Sequence, residues 1–210
     1  MATTSRSRLA LDERRAQLLE LGLGLFSARS YDEISIDDIA TAAGVSKGLL
    51  YHYFPTKRDF YVATVREAAA ELRNLTEPDE SLPPVQRLRH GLEAYLDYVE
   101  THAVGYTTLL RGGIGSDDEV RAIVEETRTS MTERFLEGLE ATEPTPAVRL
   151  ALRGWMGFCE EASLAWLDER QPARAELVTL LMVVLGSALA AAGERSEDVR
   201  AWMGGAAAGR

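Results

Sequence analysis

Between Ser35 and Asp59 the chain carries a helix start or stop every few residues, and that spacing leaves few folds open. Ser35-Ile36-Asp37-Asp38 reads as a capped start, with Ser35 as cap and Asp38 reaching back to it. Gly44 ends this helix, because a residue without Cβ permits a sharp turn. Ser46 caps a short helix over Lys47 to Phe54. Pro55 stops it, since the residue before a proline avoids the helical region. Thr56 and Asp59 then box the start of a helix over about Lys57 to Leu75. Two short helices joined by a tight glycine turn fit a helix-turn-helix. Ile39, Ala40, Ala43, Val45, Leu50 and Phe54 are its expected small core.

The other segments also read as helix, and alternating apolar/polar runs of strand type are absent. A first helix is expected over Asp12 to Arg29, with Leu19, Leu23 and Phe26 on one face. Thr76 to Pro84 is a polar linker. Helices follow over Val85 to His102 (Leu88, Leu92, Tyr95 and Val99 in a stripe) and around Tyr106 to Leu110. A long one, boxed by Ser116 and Glu119, runs to about Glu140. Thr145 with Pro146 starts the next, to Asp168. Pro172 starts another, to Ala192, and a last one spans Ser196 to Met203. The expected class is all-α. The expected division is an N-terminal arm and helix-turn-helix domain over 1–56, a helical body over 57–203 and a disordered tail over 204–210.

Charge separates the two parts. The chain has a net charge of -10, yet residues 1–66 carry nine basic and eight acidic residues. The acidity therefore lies in the C-terminal two thirds. The only two lysines, Lys47 and Lys57, both fall in the segment Gly44 to Phe60. A nucleic-acid surface needs local positive charge, not a basic whole. The start of a helix at Ser46 and Lys47 turns backbone N–H groups toward an anion. Gly48 lets a backbone approach closely, and the hydroxyls of Tyr51 and Tyr53 can donate to phosphate.

These residues resemble a known family. Ile39-Ala40, Ala43-Gly44-Val45-Ser46, Leu50-Tyr51, Phe54, and Lys57 two residues after Pro55 look like the N-terminal domain of TetR-family transcriptional regulators. The resemblance covers about Asp12 to Ala70. Ser30 stands just after the first helix, where the family usually has glycine. The resemblance implies phosphate contacts from Ser35, Ser46, Tyr51, Tyr53 and Lys57. It places Lys47, Gly48, Leu49 and His52 toward the groove. It further implies a homodimer, a palindromic operator in double-stranded DNA and a small-molecule effector. Arg6 and Arg8 could enter the minor groove from the arm. Asp37 lies near this face, where it either weakens affinity or serves its helix start. Tyr51 and Tyr53 could instead be core aromatics, and His52 a bystander.

The C-terminal helices are apolar on more than one side. Val148, Leu152, Trp155, Cys159, Ala162 and Trp166 form one stripe, with Met156 and Phe158 off it. The run Leu177 to Ala192 is apolar almost all round, so it needs partners on every face. These two helices are the expected subunit interface, a monomer core helix being the alternative. Tyr95, Tyr98, Tyr106, Met131, Phe135, Trp155, Phe158 and Cys159 could line an effector cavity or simply be core. Arg111 and Arg153 could hold a carboxylate. The scarcity of other basic residues on these faces favours a largely apolar, neutral or cationic effector over a polyanion.

Other classes find little support. The apolar run is short for a membrane span. The single cysteine, Cys159, excludes an intramolecular disulfide and fits the cytoplasm. His90 and His102 do not share a helix face, so no metal site or cofactor is expected. Gly112, Gly113 and Gly115 lack a phosphate-loop lysine. Glu160 and Glu161 read as a solvated or interface pair, and no enzyme is expected. The reading is a ligand-responsive transcriptional repressor. An activator of the same fold, or an effector-binding helical protein without DNA function, are the alternatives.

Overall fold

The computed structural model describes the backbone of residues 2–111, 117–138, 144–194 and 197–204; the side chains of 2–10, 198, 201, 203 and 204 lie outside that description. The described residues form ten α-helices and one 3-10 turn (Tyr31–Glu33), with no strand among them. In order these are α1 (Ala2–Ala28), α2 (Ile36–Ala42), α3 (Lys47–Tyr53), α4 (Lys57–Leu75) and α5 (Pro84–Thr101). Then come α6 (Ala103–Arg111), α7 (Asp118–Gly138), α8 (Pro146–Glu169), α9 (Arg174–Ala191) and α10 (Glu197–Gly204). They form two compact units: one of residues 1–71 and 101–123, the other of 72–100 and 124–210.

In the first unit, α1 begins ten residues before the expected Asp12, so the segment read as an arm is helical. The side chains of Arg6 and Arg8 lie outside the described residues. Leu18, Leu19 and Phe26 of α1 are buried, while Leu23 is only half-buried. They join Ile34, Ile39, Leu50, Phe54, Phe60, Tyr61 and Val65 in one core. Aromatic rings knit it: Phe54 meets Phe60 edge-on at 5.0 Å and Phe26 meets Tyr61 at 4.9 Å. Ser30 does not need the left-handed conformation that favours glycine. Its φ is -66°, and it opens the 3-10 turn with its N–H donating to Glu33 Oε2 at 2.9 Å.

Helix α6 lies against α1 in the same unit. Gly105 makes that approach possible, because a Cβ there would stand 2.8 Å from the Phe26 carbonyl oxygen. Ser27 Oγ and His102 Nδ1 are hydrogen-bonded at 2.6 Å beside it. Asp117 closes the start of α7: its Oδ1 accepts the N–H groups of Glu119 (3.0 Å) and Val120 (3.3 Å). Ser116 lies outside the described residues.

The second unit has its own core, from Leu88, Leu92 and Leu96 of α5 to Trp155 and Cys159 of α8 and Leu181 and Leu185 of α9. Each tryptophan donates its indole N–H to a backbone carbonyl: Trp155 to Leu181 (2.9 Å), Trp166 to Pro172 (2.8 Å) and Trp202 to Pro84 (3.3 Å). Buried rings thereby meet their polar requirement. Pro172 does not start α9. The helix begins at Arg174, and the Ala173 N–H donates to Glu176 Oε2 at 3.1 Å in its place. By length and composition α9 could cross a membrane; its buried residues instead belong to this core. Glu160 is not a freely solvated charge: Arg128 grips it through Nε at 2.8 Å, and both residues are half-buried. Of the expected tail, Gly204 ends α10 and 205–210 lie outside the described residues.

Replacing Gly105 by alanine should force α6 away from α1, at a cost of about 1–3 kcal/mol for overpacking. Urea unfolding of G105A checks this, and an unchanged midpoint would show that the carbonyl moves aside freely.

Candidate nucleic-acid interface

The site is built on three helix starts and one turn. Ser35 Oγ accepts the Asp38 N–H at 3.1 Å, and Asp38 Oδ2 accepts the Ser35 N–H at 2.8 Å. This reciprocal cap holds the Asp38 carboxyl below its usual range, the Ser35 backbone N–H being the main cause. Gly44 has φ +63°, where a residue with Cβ is strained, and its N–H returns to Thr41 O at 3.1 Å. Ser46 Oγ accepts the Leu49 N–H at 3.2 Å and starts α3. Thr56 Oγ1 and Asp59 close the next start reciprocally.

Packing then sorts α3 by face. Leu50 is fully buried, and Phe54 just past the helix end is buried too. Lys47, Gly48, Leu49, Tyr51 and His52 are exposed. Leu49 and Tyr51 are large apolar side chains at 39% and 46% exposure, so the core has not claimed them. Tyr53 is half-buried, with its ring edge-on to His52 at 5.6 Å. Ser35 and Ser46 are exposed, and their hydroxyls already serve the caps. Lys57 is half-buried, with Nζ 3.9 Å over the Tyr31 ring. Burial lowers its pKa. The nine residues expected at this surface thus cluster on α3 and the helix starts before and after it.

Two partners were not legible in the sequence. Asp37 Oδ1 pairs with Lys47 Nζ. Arg58, next to Lys57, forks onto Asp117 through Nε (2.6 Å) and a terminal nitrogen (2.7 Å). Arg58 also meets Glu119 at 3.2 Å, and Arg66 meets the same carboxylate at 3.0 Å. The Arg58 guanidinium pulls the Asp117 carboxyl down to about 2, aided by the Val120 and Glu119 N–H groups, and is itself raised. The network fixes the start of α4, where Lys57 stands, to the start of α7. Fifty-nine residues separate Arg58 from Asp117, and nothing local signals the pair.

The residues expected at an effector cavity do not all come together. Tyr95, Met131, Phe135, Trp155 and Cys159 share the second unit's core, with Phe135 edge-on to Trp155 at 5.1 Å. Tyr98 is buried in the same unit. Tyr106 is buried in the first unit, and Phe158 is exposed. Burial pushes the Cys159 thiol up, which disfavours its thiolate. Arg153 is exposed and engaged with Glu125; Arg111 is exposed at the end of α6. No group of three metal-ligating side chains occurs among the described residues.

Comparison with known proteins bears on both units. Residues 18–64 match the family model described as bacterial regulatory proteins, tetR family. Residues 84–185 match the tetracyclin repressor-like C-terminal domain. A tetR-family transcriptional regulator from Streptomyces coelicolor superposes with a TM-score of 0.81, at 36% identity over 94% of this chain and 89% of that one. The transcriptional activator FasR of Mycolicibacterium smegmatis is 29% identical, covering 79% of this chain and 78% of its own. The transcriptional repressor KstR of Rhodococcus jostii is 25% identical, covering 85% and 86%.

The Arg58–Asp117 pair has a pH signature. A folded-state carboxyl value near 2 lies below the unfolded value of about 3.9. The pair's stabilisation is therefore complete above that unfolded value and lost as pH falls toward 2. Asp117→Asn should flatten the acid limb of thermal stability, measured as melting midpoint against pH. An acid limb as steep as the wild type's would remove this role.

Proposed function

The chain belongs to the TetR family of bacterial regulatory proteins and is a DNA-binding transcriptional regulator, and from that premise we propose that it is a cytoplasmic homodimeric repressor, released from a palindromic operator by a small, largely apolar effector. The observation that carries the DNA reading is the exposed face of α3, where Lys47, Leu49, Tyr51 and His52 stand clear of a core that buries Leu50 and Phe54. In this reading α3 enters the major groove. Ser46, Tyr51, Tyr53 and Lys57 engage phosphates, with Ser35 beside them. Two copies read half-sites about 34–36 Å apart or a multiple of it.

The dimer reading rests on the outer faces of α8 and α9. Leu150 is 72% exposed, and Phe158 and Leu180 are also exposed. Gly154 and Gly157 lie on the same side of α8, and an added Cβ at either would meet nothing within 4 Å. An apolar face with gaps of this kind suits close approach of a second copy. The effector reading rests on the aromatic and methionine-rich interior of the second unit, where Tyr95, Met131, Phe135 and Trp155 gather. Effector binding acts through α4, whose residues belong to both units. It can do so only by unequal affinity for two states, commonly worth about 1–3 kcal/mol. The relatives' names describe transcriptional regulators rather than enzymes.

Activation is the second reading, favoured by the activator among the relatives. A reporter driven by the recovered operator separates the two: deleting the gene raises expression for a repressor and lowers it for an activator. Selection of binding sites from random duplexes should yield a palindrome, and failure to enrich any sequence would overturn the operator reading. Lys57→Ala should weaken binding to all duplexes and reduce the slope of log affinity against log salt by about one. Introducing glutamate at both Leu150 and Phe158 should weaken dimerisation more than about tenfold with the helix content intact. Sedimentation equilibrium reads this, and an unchanged dimer would place the interface elsewhere.

A further inference from the structure

Asp37 and Asp38 are neighbours with different roles. Asp38 completes the cap of α2, giving and receiving the bonds that a helix start requires. Asp37 takes no part in that cap, and its carboxylate faces solvent and pairs with Lys47. The two side chains are 62% and 57% exposed, so the pair does little to hold α2 against α3. Its consequence is electrostatic. Lys47 is the only lysine or arginine in residues 36–53, which span both helices. In the free protein that cation already has a carboxylate beside it.

We propose that Asp37 is a positioning residue of the DNA interface, one that holds Lys47 toward the groove and suppresses binding that depends on phosphate charge alone. The proposal rests on the reading that Lys47 faces DNA. Non-specific affinity comes almost wholly from cations that neutralise phosphates. A carboxylate beside the recognition-helix lysine therefore weakens that mode directly. Contacts to base edges depend on direction as well as charge. A lysine held at a fixed place on α3 keeps those contacts while losing reach toward phosphates.

The test uses a random-sequence duplex of about three helical turns, with fluorescence anisotropy across a salt series. Asp37→Asn should tighten binding to it about fivefold and steepen the salt slope by about one. Asp37→Glu should behave as the wild type. Asp37→Ser, which also suits a first helical turn, guards against a fold defect specific to asparagine. Lys47→Ala should weaken binding, and adding D37N to it should give less than half of the gain seen alone. Unchanged or weaker random-duplex binding by both D37N and D37S would overturn the proposal. So would an equal gain in the K47A background, which would mark Asp37 as general charge. If K47A binds every duplex as tightly as the wild type, the reading of Lys47 itself fails, and the proposal with it.

Discussion

The exposed face of α3 depends on one backbone angle. Gly44 holds φ at +63° between α2 and α3, and a side chain there would be strained. With that turn made, Ile39 and Leu50 meet in the same core, and Phe54 follows at the helix end. The register of α3 is then fixed. Leu50 faces inward, so Leu49, Tyr51 and His52 cannot. No separate force is needed to expose them. The caps at Ser35 and Ser46 set where each helix begins, and therefore which residue of α3 comes first. That residue is Lys47.

Charge is arranged around this geometry more economically than composition suggests. The chain is acidic overall, yet the acidic groups near α3 and α4 have particular partners. Asp38 caps α2, Asp59 closes the start of α4, and Asp37 meets Lys47. Asp117 both caps α7 and receives the Arg58 fork. Lys57 differs from its neighbours in resting on a ring, that of Tyr31. A cation held over an aromatic face keeps its charge while losing some of its water. The start of α4 is thus braced on one side by Arg58 while Lys57 stays partly exposed on the other.

The second unit follows a different logic. Its core is assembled by apolar burial on α5, α8 and α9, and the indole N–H groups tie ring to backbone at three points. The stripe on α8 was legible as far as Val148, Leu152, Trp155, Cys159 and Trp166, all of which are buried. The off-stripe residues divided: Met156 is buried and Phe158 is not. Helical spacing gives an angle around the axis but not which neighbour stands at that angle. Tyr106 illustrates the same limit, because α6 belongs to the first unit although it follows α5 directly.

Local chemistry was sufficient for most of what sequence neighbours decide. Ser35, Gly44, Ser46, Pro55 and Thr56 act within a few residues of themselves, so the helix-turn-helix and its inward residues could be read directly. Local signals misplaced only small things: the starts of α1 and α9. Tertiary structure alone decided what distant groups do to one another. The closeness of Gly105 to Phe26, the hold of Arg58 on Asp117 and of Arg128 on Glu160, and the pairing of Asp37 with Lys47 across the turn are not encoded in spacing. They follow from where whole helices come to rest, which is set by the sum of many buried contacts rather than by any one motif.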